Sequence, residues 1–312
     1  MEGRSAHAPG AANTRGADLA VFIGVATFDA IAMVRSFPGR DERMIAEDIV
    51  FAGGGPAATA AITAARLGVP SAFIGTVGDD VEAELIISGL RHEDVDVSGI
   101  MLDRSRRSGA SVVVVDASAG TRAICTRPTP PLVIPPGSPA AQLLSAAAWV
   151  HVDQLGWAAA VSAITTRHGR PKLSVDAGNP IDGFRPSDVD IYAPTIDALR
   201  RIYGEKSVDD LLDSAIADGA RTVVATRGGE GSIAATADGH HYEAPAHPVD
   251  VVSTLGAGDV FHGALLAGIV HGFALDAALR YANAAAAMSC RGIDGRSAIP
   301  RHDQIVDLAL TG

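Results

Sequence analysis

Asp259 is the residue in this chain best placed to do chemistry. It closes the stretch Ser253-Thr-Leu-Gly-Ala-Gly-Asp-Val260. The stretch follows the apolar run Val249–Val252, broken only by Asp250. It precedes Phe261, Ala264, Leu265 and Ile269, whose spacing predicts one apolar helix face. Gly256, Ala257 and Gly258 therefore fall where a loop becomes a helix. Backbone N–H groups there lack intrahelical partners, and the helix dipole adds positive charge, so the turn suits an anion. A carboxylate beside a bound phosphate repels it unless it has work to do, such as accepting a proton from an attacking hydroxyl. The plainer alternative is a glycine-rich helix start with an Asp that favours the dipole.

A second candidate is Thr226-Arg-Gly-Gly-Glu-Gly231, after a strand ending at Ala225. Its amides and Thr hydroxyl can meet phosphate oxygens, although a plain strand–turn–strand reads equally well. It leads into the strand-like Ser232–Ala235, so it is not a dinucleotide fingerprint. No P-loop pattern occurs.

The elements needed to hold these turns can be read in chain order. Leu19–Gly24 and Ser71–Gly75 read as buried strands, and Gly53-Gly-Gly-Pro56 opens an Ala- and Thr-rich helix ending at Gly68. Asp79 or Asp80 caps the next helix. After the proline-rich 128–139 connector, strands and helices alternate: Trp149–Val152, Trp157–Thr166, Lys172–Val175, Ile191–Ala193, Ile196–Ile202, Val208–Ala217, Arg221–Ala225. Such alternation predicts a doubly wound, mostly parallel α/β sheet with helices on both faces. Ile31–Val34, Met44–Phe51, Ser111–Val115 and Arg122–Thr126 do not fit it and predict a small β-sheet lid from segments about 29–52 and 110–127. Residues 18–312 read as one domain behind a disordered tail, 1–17.

The hydrophobic share of 47% supports an ordinary core. The net charge of −11 argues against nucleic acid or an anionic membrane surface as partners, but not against a small anionic ligand. Two cysteines, Cys125 and Cys290, are too few for a disulfide framework and read as thiols of a cytoplasmic protein. No apolar stretch is long enough to span a membrane.

Taken together, the motifs resemble the ribokinase-like (PfkB) carbohydrate kinases over about residues 19–305. The likeness rests on four features in order: Asp29 five residues after Gly24; Gly54-Gly55 opening a helix that ends Ala65-Arg-Leu-Gly68; Thr226–Gly231; and Gly256–Asp259. The resemblance implies a Rossmann-like domain with a β lid that transfers the γ-phosphoryl of ATP to a sugar hydroxyl. It implies Asp259 as base and Gly256, Ala257 and Gly258 as anion hole. It sets Thr226, Gly228 and Gly231 by the nucleotide phosphates, Asn283 near the adenine, and Asp29, Gly54 and Gly55 at the sugar. ATP and Mg²⁺ are the implied cofactors, with no metal ligands assignable. A homodimer formed through the lid is a further implication.

Residues 53–61, 77–80, 256–265 and 295–300 are similar to the 6-deoxy-6-sulfofructose kinases, and Thr-Leu-Gly-Ala-Gly-Asp also recurs in ketohexokinases. Several positions depart from the pattern. Ser253 stands where many members carry an Asp tied to a monovalent cation. Thr195 and Ala198 replace the Asn and Glu tied to magnesium waters. Thr59 takes the place of the sugar-contacting Asn, and Leu155 that of a sulfonate-binding Arg. Arg43 matches a basic lid position and is expected at the far end of the substrate, joined by Arg127, unless Asp41 and Glu42 pair with it. His262 either faces the sugar or packs its helix. Two rival functions remain: a nucleoside kinase on the same fold, and a catalytically weak sugar- or nucleotide-binding regulator.

Overall fold

A computed structural model describes residues 18–164 and 170–310. The tail expected at 1–17 lies outside the described residues, as do the last two positions of the helix expected over 157–166.

Six parallel strands, β1 Ala20–Ile23, β4 Ser71–Ile74, β9 Trp149–Val152, β10 Lys172–Asp176, β11 Ile191–Ala193 and β12 Thr222–Thr226, form most of the main sheet. β13 Ser232–Thr236 and β14 His241–Ala244 add an antiparallel edge, giving the order β14-β13-β12-β11-β10-β9-β1-β4. β1 shows why central strands read as unbroken apolar runs: all four residues are fully buried. Ala20 and Phe22 pack with α1 Pro56–Arg66, α2 Val81–His92, α7 Ala257–Val270, α8 Leu275–Ser289 and α9 His302–Leu310. Val21 and Ile23 pack on the opposite face with α3 Pro139–Ala146, α4 Trp157–Ile164, α5 Ile196–Tyr203 and α6 Val208–Ala217. Burying each Val, Ile or Phe on such a strand contributes about 1.5–3 kcal/mol.

The helix that carries Asp259 is set by close packing. α1 buries Ala57, Ala58, Ala60, Ala61 and Ala64 completely. α7 crosses it at Gly263, where any side chain would collide with the Ala60 carbonyl oxygen. Small residues on both helices thus fix how deep α7 sits, and with it the position of its first turn.

The lid is a separate four-stranded sheet, ordered β3-β2-β7-β8, of β2 Thr27–Val34, β3 Asp48–Gly54, β7 Gly109–Asp116 and β8 Thr121–Arg127. Two boundaries differ from expectation. β2 begins at Thr27, which puts Asp29 within the strand, opposite Ala52 and Ser111. β3 begins at Asp48 and continues through Gly53 and Gly54, so Arg43 lies in the loop before it. Glycine is tolerated in this ladder because a side chain at Gly54 would collide with the Asp29 carboxylate. Ile31, Val113 and Val115 face inward over Leu255 and Ile293. The short pair β5 Thr76–Val77 and β6 Met101–Leu102 lies apart from both sheets. Among the described residues, no helix is long and apolar enough to cross a membrane.

Candidate active site

The loop Ser253–Leu255 runs into α7 through Gly256, whose φ of +73° is left-handed. A side chain there would be strained and would also meet the Gly295 Cα at 2.8 Å. The Ala257 N–H donates to the Thr254 carbonyl at 3.3 Å, a long contact. The N–H groups of Gly256 and Gly258 have no partner among the described residues. A Cβ on Gly258 would meet nothing within 4 Å, so the backbone here opens onto a cleft.

Asp259 stands half-buried in the first turn and receives no hydrogen bond among the described residues. Burial pushes its carboxyl up to about 7; the nearby Asp176 and Asp153 carboxylates add to the shift, and His262 and Arg296 oppose it. Both acidic neighbours stand where parallel strands end: Asp176 closes β10, and Asp153 directly follows β9. Asp153 accepts from the N–H groups of Val25 (2.7 Å), Leu155 (3.0 Å) and Gly156 (2.9 Å). Burial nevertheless raises it to about 6.

His262 turns away from the cleft. It is buried in α7, with Nε2 3.3 Å from Asp176 Oδ1. Burial alone would raise Asp176, but the His262 imidazolium outweighs it and lowers the carboxyl below its usual range. Burial alone would likewise lower His262, and Asp176 raises it instead. His151, its ring 5.5 Å from that of His262, is driven down to about 3 by burial and by His262. Asp259 therefore lies near a buried ion pair and not beside a free histidine.

A second cluster joins the lid to the end of the chain. Arg296, buried, donates from Nη2 to the Gly54 carbonyl at 2.6 Å and from Nε to Thr59 Oγ1 at 3.0 Å. Burial draws its pKa down to about 10, and the charges of Asp29 and Asp259 hold it up, so it stays protonated. Arg66 fixes this segment from behind. Its Nη1 donates to the carbonyls of Arg296 (2.7 Å) and Ile299 (3.1 Å), and its guanidinium grips Glu93. Asp29 is raised by burial despite donors on Thr27 and Ser111, and its Oδ1 is buried without a partner. Gly54, Gly55, Thr59 and Asp29 thus gather around Arg296.

Thr226, Gly228, Gly231 and Asn283 line a different space. This cleft of about 940 Å³ runs between α5, the Thr226–Gly231 turn and the start of α7. Gly228 and Gly229 face open space within it, so added side chains would fill the cleft. Asn283 spends its amide on the Ala244 and Pro245 carbonyls, at 2.9 and 3.0 Å. The two clusters meet at the first turn of α7, where Gly258 and Ala257 line the cleft and Asp259 feels Arg296.

Some candidates are not brought in. Arg43 is exposed and forms no ion pair among the described residues, so neither Asp41 nor Glu42 holds it. Arg127 cannot join it, being committed to Glu82 at 2.7 Å and to the Ser108 carbonyl at 2.8 Å. Ser253 is buried, its hydroxyl accepting from Leu255 N at 3.2 Å. Thr195 caps α5. Among the described residues, no three His, Cys, Asp or Glu side chains gather to hold a metal.

Arg296, Asp176 and Asp153 were missed in the sequence. Asp153 and Asp176 carried a usable signal, since ligands of open parallel sheets bind beyond the strands' carboxyl ends. Arg296 lay within the 295–300 motif but far in sequence from Gly54 and Thr59, to which its side chain donates.

The profile of pfkB family carbohydrate kinases matches residues 17–301. A fructokinase from Klebsiella pneumoniae is 30% identical over 278 residues, covering 81% of this chain and 90% of its own. The Arabidopsis thaliana ribokinase complexed with ribose and ATP superposes with a TM-score of 0.79 at 22% identity, over 94% of this chain and 99% of its own. A Methanocaldococcus jannaschii nucleoside kinase shares the fold at 18% identity and TM-score 0.76, over 96% of this chain and all (100%) of its own. With its double-glycine turn, its Thr226–Gly231 turn and its Asp259 all opening onto one pair of adjoining sites, the chain belongs to the pfkB family of carbohydrate kinases.

Proposed function

We propose that a sugar or sugar derivative lies between Asp29, the Gly54–Gly55 turn and Asp259, and that ATP lies in the adjoining cleft. Asp259 carries the proposal: it is a carboxylate poised near neutral pH, between the two clusters and beside free backbone donors. Asp259 accepts the proton of the attacking hydroxyl as that oxygen bonds to the γ-phosphorus. The bond to the bridging oxygen breaks, and ADP leaves. The N–H groups of Gly256 and Gly258, with that of Ala257 once it gives up Thr254, hold the charge that develops on the phosphoryl oxygens. Removing one such donor typically costs roughly 10²–10³-fold in rate. Thr226, Gly228 and Gly231 take the other phosphates, and Asn283 shapes the far end of the cleft. The unpartnered Asp29 Oδ1 accepts from a sugar hydroxyl, while Arg296 and Thr59 hold the turn on which the sugar rests.

Magnesium supplies charge neutralisation when bound. The cleft offers it no cage of side chains: Asp197 pairs with Arg200 and Glu230 with Arg227. Magnesium would therefore depend on the nucleotide for its ligands and would supply charge neutralisation only.

A coupled ADP-release assay across fructose, ribose, 6-deoxy-6-sulfofructose and adenosine tests the proposal. ADP release with at least one sugar is expected. Release with adenosine alone makes the chain a nucleoside kinase, and binding of sugars without release makes it a regulator.

The outer lid face supports pairing of two copies. Ile49 and Phe51 on β3 and Val112 on β7, the two strands that flank β2, are 58%, 67% and 56% exposed there. Sedimentation should give a dimer that Phe51→Asp splits; a monomeric parent protein would end this proposal.

A further inference from the structure

A second cavity, of about 790 Å³, lies where the ends of α1, α2 and α8 meet the start of α9. It shares no lining residue with the nucleotide cleft. Among its described lining residues, Arg66, Arg291, Arg301 and His92 face one carboxylate, Glu93. The chain as a whole carries −11, so the sign of charge reverses locally here, and the cavity suits an anion. Arg66 is spent on both Glu93 carboxylate oxygens and on the carbonyls of Arg296 and Ile299. Its guanidinium, and more weakly His92 and Arg301, hold the Glu93 carboxyl below its usual range against burial. Arg291 and Arg301 are exposed and bond only through their backbone N–H groups, to the Met288 carbonyl (3.2 Å) and to Gln304 Oε1 (2.7 Å). Their guanidinium groups have no hydrogen-bond or ion-pair partner among the described residues. Met288, Ala298, Ile299 and Pro300 add apolar wall.

The two uncommitted arginines stand at the two ends of one irregular segment, 291–301, between α8 and α9. The middle of that segment supports the active site. Gly295 packs so closely on Gly256 that a side chain on Gly256 would meet its Cα at 2.8 Å. Arg296 anchors Gly54 and Thr59. Just ahead of the segment, the Cys290 carbonyl accepts from Val252 (2.8 Å) and Ser253 (3.1 Å), in the loop that leads to α7.

We infer that this cavity binds a phosphorylated metabolite the size of a sugar phosphate, whose phosphate bridges Arg291 and Arg301 and so clamps the 291–301 segment. The guanidinium fork suits phosphate oxygens, and two forks meet one phosphate from the two ends of the segment. A phosphate ion alone would leave most of the space empty, whereas the apolar wall takes a carbon skeleton. With both ends held, Gly295 and Arg296 stay where the anion loop and the sugar turn need them, so the bound ligand favours sugar binding. That kinetic half rests on the function proposed above, and the binding half does not.

Calorimetric titration of the full chain with glucose 6-phosphate and with inorganic phosphate tests the site, beside the double variant Arg291→Ala, Arg301→Ala. Both side chains are exposed, so the double variant should fold with the parent's melting temperature. The parent protein should bind glucose 6-phosphate at least about tenfold more tightly than the double variant does, the worth of one charge-assisted hydrogen bond or more. It should bind inorganic phosphate more weakly than glucose 6-phosphate. No binding of glucose 6-phosphate, or equal binding by parent and double variant, would overturn the site. Equal affinity for the two probes would make free phosphate the ligand and overturn the metabolite. In the ADP-release assay, glucose 6-phosphate should lower the KM for the best sugar by about fivefold in the parent and leave it unmoved in the double variant. A KM raised alike in both would mean competition at the sugar site and would overturn the clamp. If the parent protein releases no ADP with any sugar, the function proposed above fails instead, and the titrations still decide whether the cavity binds its ligand.

Discussion

Replacing Asp259 by Asn should stabilise the protein most at alkaline pH and progressively less as pH falls toward about 4. In the folded chain the carboxyl is raised from 3.8 to about 7, by burial first and then by Asp176 and Asp153. The folded state therefore favours the protonated form. That favourable contribution is complete below about pH 4 and is lost as pH rises through about 7. The difference between the two states corresponds to at most about 4 kcal/mol. Asp259 is partly exposed, so solvent screening reduces the expected value to roughly 1–2 kcal/mol. Asn keeps the shape and removes the charge, and no hydrogen bond to the carboxylate is lost among the described residues. Melting curves of parent and variant at pH 5 and pH 8 give the test. The variant should gain about 2–4 °C over the parent at pH 8, and roughly 40% of that at pH 5. An equal gain at both pH values, or a loss at pH 8, would show that Asp259 is not under electrostatic strain.

Three further outcomes follow from the same geometry. The kcat/KM for the sugar should rise tenfold per pH unit up to about pH 7 and then level off, because the base must be ionised; a flat profile from pH 5.5 to 8.5 would contradict this. Gly263→Ala should cost about 1–3 kcal/mol and lower kcat, because the added methyl forces α7 away from the Ala60 carbonyl; unchanged melting and kinetics would refute that close fit. Arg43→Ala should lower sugar kcat/KM by roughly 1–3 kcal/mol with the ATP KM unmoved if the lid loop reaches an anionic or hydroxyl-rich substrate tail. An unchanged value leaves Arg43 a solvated lid charge, as its exposure suggests.

Much of the main sheet was legible because its strands are buried on both faces and its turns are marked by glycine. The α6 helix, Val208–Ala217, has the same limits in sequence and structure. Boundaries failed in the lid, where strand ends are set by distant side chains instead of by local propensity. Glycines at 53 and 54 read in sequence as the opening of a helix, yet they extend β3 because Asp29 and Arg296 need their space. His262 could not be placed because the helix period alone leaves open whether it faces the sheet or the cleft. Its partner Asp176 comes from a strand 86 residues earlier. Arg296 was hidden for the same reason: its contacts at Gly54 and Thr59 are 242 and 237 residues away.

The most direct test of the central claim is the turnover of Asp259→Asn with the best sugar from the panel, measured alongside ATP binding by calorimetry. With Asp259 as the base that accepts the hydroxyl proton, ADP release should fall by at least about 10²-fold. ATP affinity should hold or improve, since a carboxylate that repels phosphate is gone. Turnover within a few-fold of the parent protein would contradict the assignment and leave the N-terminus of α7 an anion site without a base.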